Sequence, residues 1–320
     1  MSFRNIFIII TIISLYLSCA QKQNEYRRVK PVIEGEWWQI AGNPDLGELS
    51  SERQQPVDFG IWQADDGTWQ LWSCIRNTKE MGKTRLFHRW EAKSLFDRNW
   101  EPKGVAMRAD TSLAEHPGGM QAPYVIKDQN KYLMFYGDWN RICLAESEDG
   151  KSFHRVVNDG SPSIFGDSVE INTRDAMVLK QDDAWFCYYT AHPGMDGKVF
   201  VRTSDDLENW SESTIVSYGG QAGKGKFWLA ECPFVVEQDN GQYYLYRTQS
   251  YGTGDGPAKT SIYHSDDLMN FGIENDSGFV GTLEVAAPEI FNFKNQWYIA
   301  ALMPNLDGIR IAKLSWVPVD

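Results

Sequence analysis

Apolar and aromatic residues along the chain come in short runs broken by polar turns, and the same form recurs five times. The five segments are Pro56 to Trp72, Ala122 to Tyr136, Arg174 to Tyr189, Glu231 to Tyr246 and Ala287 to Ala300. Each opens on a polar or Pro-containing stretch and passes through an apolar run. A turn of Asp, Asn, Gln or Gly follows, and then an aromatic run. Two β-prone runs around a turn whose residues tolerate positive φ predict a β-hairpin. The aromatics that follow the turns are Trp69, Tyr132, Trp185, Tyr243 and Trp297, spaced 53 to 63 residues apart.

Each hairpin leads into a third strand-like run and a further turn, then a fourth strand. Ser147-Glu-Asp-Gly-Lys-Ser-Phe153, Ser204-Asp-Asp-Leu-Glu-Asn-Trp210 and Ser265-Asp-Asp-Leu-Met-Asn-Phe271 are such turns. Helical periodicity is weak throughout. Five repeats of four antiparallel strands predict an all-β, five-bladed β-propeller. Because the repeats fill residues 50–320, one domain is expected there. Residues 20–49, with Glu36-Trp37-Trp38-Gln39, are expected to link, close or cap the ring.

The N-terminus has a different pattern. Arg4 is followed by an apolar run from Ile6 to Leu17, which is too short to span a bilayer but matches the core of a signal peptide. Leu17-Ser18-Cys19-Ala20 and the polar Gln21 to Glu25 come next, an arrangement that resembles a bacterial lipoprotein processing site. Residues 1–19 are therefore expected to be a lipoprotein-type signal, with Cys19 lipidated and the protein exported to the cell envelope. The lipid would be its sole link to a membrane. The other cysteines, Cys74, Cys143, Cys187 and Cys232, fit no zinc spacing. Buried free thiols are the simplest reading.

Net charge is −12 and the isoelectric point is about 5.0. No Lys/Arg cluster large enough to hold phosphates appears, so nucleic acid is excluded as a partner. Aromatic residues make up 13% of the chain. Most suit half-buried strands, and some can serve as flat platforms for sugars.

In a propeller the innermost strand of each blade lines the central channel, and the starts of those strands converge on one face. Three of the five starts carry an acid, Asp58, Asp175 and Glu231, expected at equivalent points of the repeat. Glycoside hydrolysis requires two carboxyl groups flanking the scissile bond, one to protonate the leaving oxygen and one to activate water or attack the sugar. A third carboxylate nearby raises the pKa of the acid. Singly, an acid at a strand start is usually structural; three together point to chemistry. Calcium is a competing use of the same oxygens, so a structural calcium in the channel is an option. No catalytic metal or other cofactor is expected.

These motifs, taken in order, resemble the five-bladed glycoside hydrolases of family 43, with kinship to family 32. The resemblance rests on Pro56-Val57-Asp58, Arg174-Asp175-Ala176, Glu231-Cys232-Pro233 and the Ser204 turn, and covers about residues 50–315. Ala176 stands where Pro is usual. The Glu-Cys-Pro form leans towards family 32, whose Asn-Asp-Pro-Asn-like start is absent. The resemblance implies that Asp58 is the general base or nucleophile, that Asp175 orients the sugar and tunes pKa, and that Glu231 is the general acid. It further implies an exo-acting glycosidase trimming plant or algal oligosaccharides. α-L-Arabinofuranosidase or β-xylosidase activity comes first, and a β-fructosidase second. A carbohydrate-binding propeller without chemistry is the alternative of a different class.

Further substrate contacts are expected from Arg174, Gln121, Trp228, Trp139, His116 in the loop before blade two, and Arg247 at the end of the blade-four hairpin. For Arg174, binding a sugar hydroxyl and pairing with a neighbouring acid are equally open. Glu289 and His192 read as structural. The glycine-rich Ser217 to Lys226 lacks the features of a phosphate loop and reads as a mobile loop near the active face.

Overall fold

A computed structural model describes residues 28–166, 172–238, 241–254 and 256–319. The expected signal segment and Cys19 lie outside them. No helix among the described residues is long and apolar enough to cross a membrane.

The strands form five four-layered antiparallel sheets. Blade one holds β2 (Gln55–Gln63), β3 (Trp69–Arg76), β4 (Leu86–Ala92) and β5 (Glu101–Met107). Blade two holds β6 (Gln121–Asp128), β7 (Lys131–Gly137) and β8 (Ile142–Ser147), with its outer layer divided between β9 (His154–Arg155) and β10 (Ser163–Phe165). Blade three comprises β11 (Arg174–Gln181), β12 (Ala184–Ala191), β13 (Lys198–Ser204) and β14 (Thr214–Ser217). Blade four comprises β15 (Glu231–Gln238), β16 (Gln242–Tyr251), β17 (Ala258–Ser265) and β18 (Phe279–Leu283). Blade five starts with β19 (Glu289–Phe293), β20 (Gln296–Leu302) and β21 (Gly308–Pro318). Its outer strand is β1 (Val29–Gly42), which pairs antiparallel with β21. The ring is thus the predicted five-bladed propeller, and the first strand among the described residues completes the last blade.

The Ser-x-Asp turns show how the repeat holds itself together. Asp149 Oδ1 accepts from the backbone N–H groups of Lys151 and Ser152, while Ser147 Oγ accepts from that of Gly150. Asp206 and Ser204 repeat this in blade three. Each turn fixes an aromatic that reaches the preceding blade. Phe153 meets Trp62 and Trp72 edge-on, Trp210 meets Phe135, and Phe271 packs on Tyr188. Phe271 is fully buried, and removing a buried ring costs about 3–5 kcal/mol, so the turns bind blade to blade as well as strand to strand.

One irregularity is common to the inner strands. In blades one to four the pairing of first with second strand slips by one residue near its start. The residue at the slip has positive φ: Asp58 (39°), Ala122 (42°), Asp175 (58°) and Cys232 (45°), with Ala287 (47°) at the corresponding place in blade five. This is a β-bulge, which turns the strand and redirects its side chains. It corrects the expected equivalence. Asp58 and Asp175 occupy the bulge, but blade four puts Cys232 there. Glu231 stands one residue earlier, level with Arg174 and Gln121.

Candidate active site

The bulge sorts the site into two tiers. Asp58, Asp175 and Cys232 form the lower tier, where one ligand atom from each lies within 4.8 Å of the others. Gln121, Arg174 and Glu231 form the upper tier on the wall of an open cleft of about 1010 Å³. Asp58 lines both this cleft and the narrow channel beneath, while Asp175 lines the channel.

In the lower tier, Tyr251 donates its hydroxyl to Asp58 Oδ1 at 2.7 Å, and the Cys232 thiol lies 3.2 Å from the same oxygen. The backbone N–H of Cys232 donates to Asp175 Oδ2 at 3.0 Å. Burial pushes the Asp175 carboxyl well above its usual range. The Arg174 guanidinium opposes the rise, and the Asp58 and Glu231 carboxylates add to it. Burial likewise pushes up the Cys232 thiol and the Tyr251 hydroxyl, so both are protonated donors at neutral pH.

In the upper tier, Arg174 grips Glu231 in a bidentate pair, Nε to Oε2 at 3.1 Å and Nη2 to Oε1 at 2.5 Å. Burial works against the Arg174 charge, but Glu231 and Asp175 outweigh it and hold the guanidinium protonated. Of the two open readings of Arg174, the structure shows the pairing with an acid. Both Glu231 oxygens are engaged, so delivery of a proton from Glu231 to a leaving oxygen requires that contact to open.

Four buried polar atoms around the site have no hydrogen-bond partner among the described residues: Gln121 Oε1, Asn172 Oδ1, His192 Nδ1 and Asp175 Oδ1. Orphaned buried polar groups are costly. Four in one place make a surface suited to the many hydroxyls of a sugar. Trp139 lines the cleft, as do Phe227 and Trp228, which meet edge-on and are 38% and 41% exposed. Exposed indole and phenyl faces are the expected platforms.

Two expected contacts are corrected. His116 is not among the residues lining the cleft, and its ring Nδ1 lies near the carbonyl of the adjacent Pro117. Arg247 is fully buried. It donates to the carbonyls of Leu229, Gly219 and Gly223 and to Ser217 Oγ, so it anchors the glycine-rich segment instead of facing the channel. That segment is accordingly tied down, with Gly225 N–H also bonded to Asp196. Conversely, His192, Tyr251, Asn172, Phe227, Arg76 and Arg85 line the cleft. Of these only His192 drew notice in the sequence, through its place after the blade-three hairpin.

The channel suits calcium poorly. Its lining includes Phe59, Tyr124, Met177 and Phe234, and burial pushes the Glu289 carboxyl well up. Calcium takes about six to eight oxygens. The tightest group of possible ligands contains a protonated thiol beside two carboxylates.

A propeller with carboxylates converging on a polar, aromatic-walled cleft is the frame of a glycoside hydrolase, and the sequence places the chain in one such family. The family model for the N-terminal domain of glycosyl hydrolases family 32 matches residues 67–251, and the chain belongs to that family. Asp175 and Glu231 fall within the match and Asp58 just before it. The chain is therefore a glycosidase. Among solved structures, a thermostable family-43 glycoside hydrolase aligns over 88% of this chain and 94% of its own, at 17% identity and a TM-score of 0.62. An endo-arabinase from Bacteroides thetaiotaomicron aligns over 88% and 97%, at 14% identity and 0.61. A family-32 β-fructofuranosidase from Bombyx mori aligns over 88% and 65%, at 15% identity and 0.59. At these identities the likeness is one of fold. No curated protein sequence matches the chain.

Proposed function

We propose that the chain hydrolyses terminal glycosidic bonds of oligosaccharides in the two-tiered site, with Asp58 as base or nucleophile and Glu231 as acid. The observation that carries the reading is the bulge. It sends Asp58 and Asp175 down to one point while Arg174 holds Glu231 at the cleft wall above them. Asp58 is oriented by Tyr251 and Cys232, which donate to one oxygen and leave the other for chemistry. Asp175 is a neutral carboxyl below the sugar, able to donate to a ring hydroxyl. Arg174 is a positioning residue; substrate hydroxyls that draw it away from Glu231 would free that carboxyl to deliver a proton.

For the sugar, α-L-arabinofuranosyl or β-xylosyl units come first, in keeping with the endo-arabinase among the structures of like fold. β-Fructofuranosyl units are the second reading, favoured by the family-32 match. The chain acts, in this proposal, as an exported envelope lipoprotein tethered at Cys19. Metabolic labelling with a palmitate analogue, lost in Cys19→Ser, is the check on the tether.

The test of the chemistry is release of reducing sugar from aryl glycosides and oligosaccharides. Glu231→Gln should lower kcat by about 10²–10⁴, the range of a general acid, and Asp58→Asn at least as much. Turnover surviving within a few-fold in both variants would refute the assignment. Sugar binding that persists without turnover on any substrate would point to a propeller that only binds.

A further inference from the structure

We propose that the cleft selects a sugar carrying an anionic substituent, a carboxylate or a sulfate ester, and that Arg85 with Arg76 forms its receptor. The proposal rests on the glycosidase reading of the same cleft and names the substrate class within it.

In blade one, Ile75 of β3 pairs with Leu86 of β4. Arg76 ends β3, Arg85 lies just before β4, and both line the cleft. Like charges on one wall repel, and among the described residues neither guanidinium makes a salt bridge, although the Asp58 and Asp175 carboxylates favour the Arg85 charge from further off. Arg76 donates through Nε and Nη2 to Gln55 Oε1, a neutral acceptor, at 3.0 and 2.8 Å. Among the described residues, the Arg85 guanidinium has a single hydrogen-bond contact, with the Cys74 sulfur at a long 4.0 Å. It lies over the Trp139 ring, 5.1 Å from the centroid, and Lys83 Nζ lies 4.5 Å from the same ring. Arg76 and Arg85 thus put two cations on the cleft wall, with Lys83 near the Trp139 ring, in a chain with net charge −12.

Other arginines of the molecule behave differently. Arg108 pairs with Glu80, Arg141 with Asp138, Arg155 with Glu115 and Arg174 with Glu231. Among the described residues Arg76 and Arg85 make no such pair, and unlike Arg247, which is buried against carbonyls, they line the cleft. Hydroxyl recognition alone would not require two adjacent charges, because Gln or Asn offers donors without the repulsion. A carboxylate or sulfate relieves the repulsion, and its planar or tripodal oxygens match the guanidinium fork. Trp139, on which Arg85 rests, lines the same cleft.

Binding by the full chain carrying Glu231→Gln, which removes turnover, is the test. Calorimetry would compare uronic-acid oligosaccharides with their carboxyl-reduced forms, and sulfated oligosaccharides with their desulfated forms. One acidic series should bind about tenfold or more tightly than its neutral partner, and the series that does so identifies the anion. Added salt should shrink the advantage. Adding Arg85→Gln should reduce it to a few-fold or less, whereas Arg85→Lys, which keeps the charge and controls for misfolding, should retain a good part of it. Equal affinity within both pairs, no binding of either acidic series, or an Arg85→Gln variant that weakens acidic and neutral members alike would overturn the proposal. Anion-dependent binding without hydrolysis by the unmutated chain would count against the catalytic reading alone. Hydrolysis confined to neutral sugars would count against this proposal alone.

Discussion

Blades two and three begin their inner strands on the same backbone with different chemistry. Both slip register by one residue and both place a non-glycine residue at positive φ, Ala122 at 42° and Asp175 at 58°. Ahead of it stand Gln121 in one and Arg174 in the other. Blade five repeats the alanine with Ala287. A left-handed backbone is unusual for a residue with a Cβ and costs of order 1 kcal/mol or more. Its presence in blades without an acid shows that the bulge belongs to the fold, as the device that turns each inner strand at the channel mouth. Two of the five prepared positions carry an acid, Asp58 and Asp175, and the third acid, Glu231, stands one residue before the bulge of blade four. Asp suits the conformation best, since its short polar side chain tolerates left-handed φ.

The comparison is broken most forcefully by removing the acid of blade three. Asp175→Asn keeps the shape and can still accept from the Cys232 N–H, but it abolishes the titration. We expect kcat/KM to fall by about 10²-fold or more while the fold gains stability at neutral pH. The sign follows from the direction of the shift. Unfolded, Asp175 loses its proton near 3.8; folded, it keeps it to a much higher pH. Its contribution is therefore favourable below 3.8 and is lost as pH rises towards the folded value. Melting curves of the two proteins should converge near pH 3.8 and separate above it, with the variant the more stable. A variant less stable at pH 7, or one active to within a few-fold, would show that the carboxylate of blade three is structural.

The same contrast explains what could be read from the sequence. Blade number and strand count were legible because every hairpin carries its own turn residues and a following aromatic, and the Asp-containing turns mark the end of the third strand. Asp58, Asp175 and Glu231 were legible as acids at strand starts. Their register was not, because a one-residue bulge leaves no mark in the alternation of apolar and polar positions yet exchanges the faces on which neighbours point. Cys232 consequently read as a core thiol when it sits at the bulge beside Asp58. Tyr251 and Arg85 lie at the far end of one strand and just before another, places that periodicity does not single out. Arg247 read as a channel residue because its burial is made tolerable by carbonyls 18 to 28 residues earlier in the chain.

A second titration, in blade one, sharpens the contrast from the side of stability. His88 in β4 is buried, its ring tilted against that of Trp90, and burial together with the Arg89 charge pulls its pKa from 6.5 to about 4. The unfolded chain takes up this proton below 6.5 and the folded chain only near 4. Stability is therefore present in full above 6.5 and falls as pH drops between the two, by about 2–3 kcal/mol. This trend opposes that of Asp175. Chemical denaturation at pH 7 and pH 4.5 should show His88→Gln losing less stability on acidification than the unsubstituted protein, with activity at pH 7 nearly unchanged. Parallel losses in the two proteins would exclude His88 as the acid-sensitive group. The experiment separates a pH–rate profile set by the cleft carboxyls from one set by acid unfolding.

The smallest effect tests whether the bulge itself is indifferent to chemistry. If the positive φ at Ala122 is imposed by the ring and has no role in catalysis, glycine should be accepted there. Ala122→Gly relieves the Cβ strain but gives the unfolded chain more freedom, two contributions of about 0.5–1 kcal/mol each with opposite signs. The net change should stay within about 1 kcal/mol, with kcat held. Ala122→Val retains the backbone demand and adds a β-branched side chain where φ is left-handed; it should cost more, about 2 kcal/mol. Urea titrations of the two variants would read this order directly. A glycine variant that folds well but loses turnover would mean that the side chain of blade two, and not only its backbone, sets the position of Gln121 beside the acids. A valine variant as stable as the parent would mean that the bulge can relax, and that the shared geometry of the five inner strands is less rigidly imposed than their common φ implies.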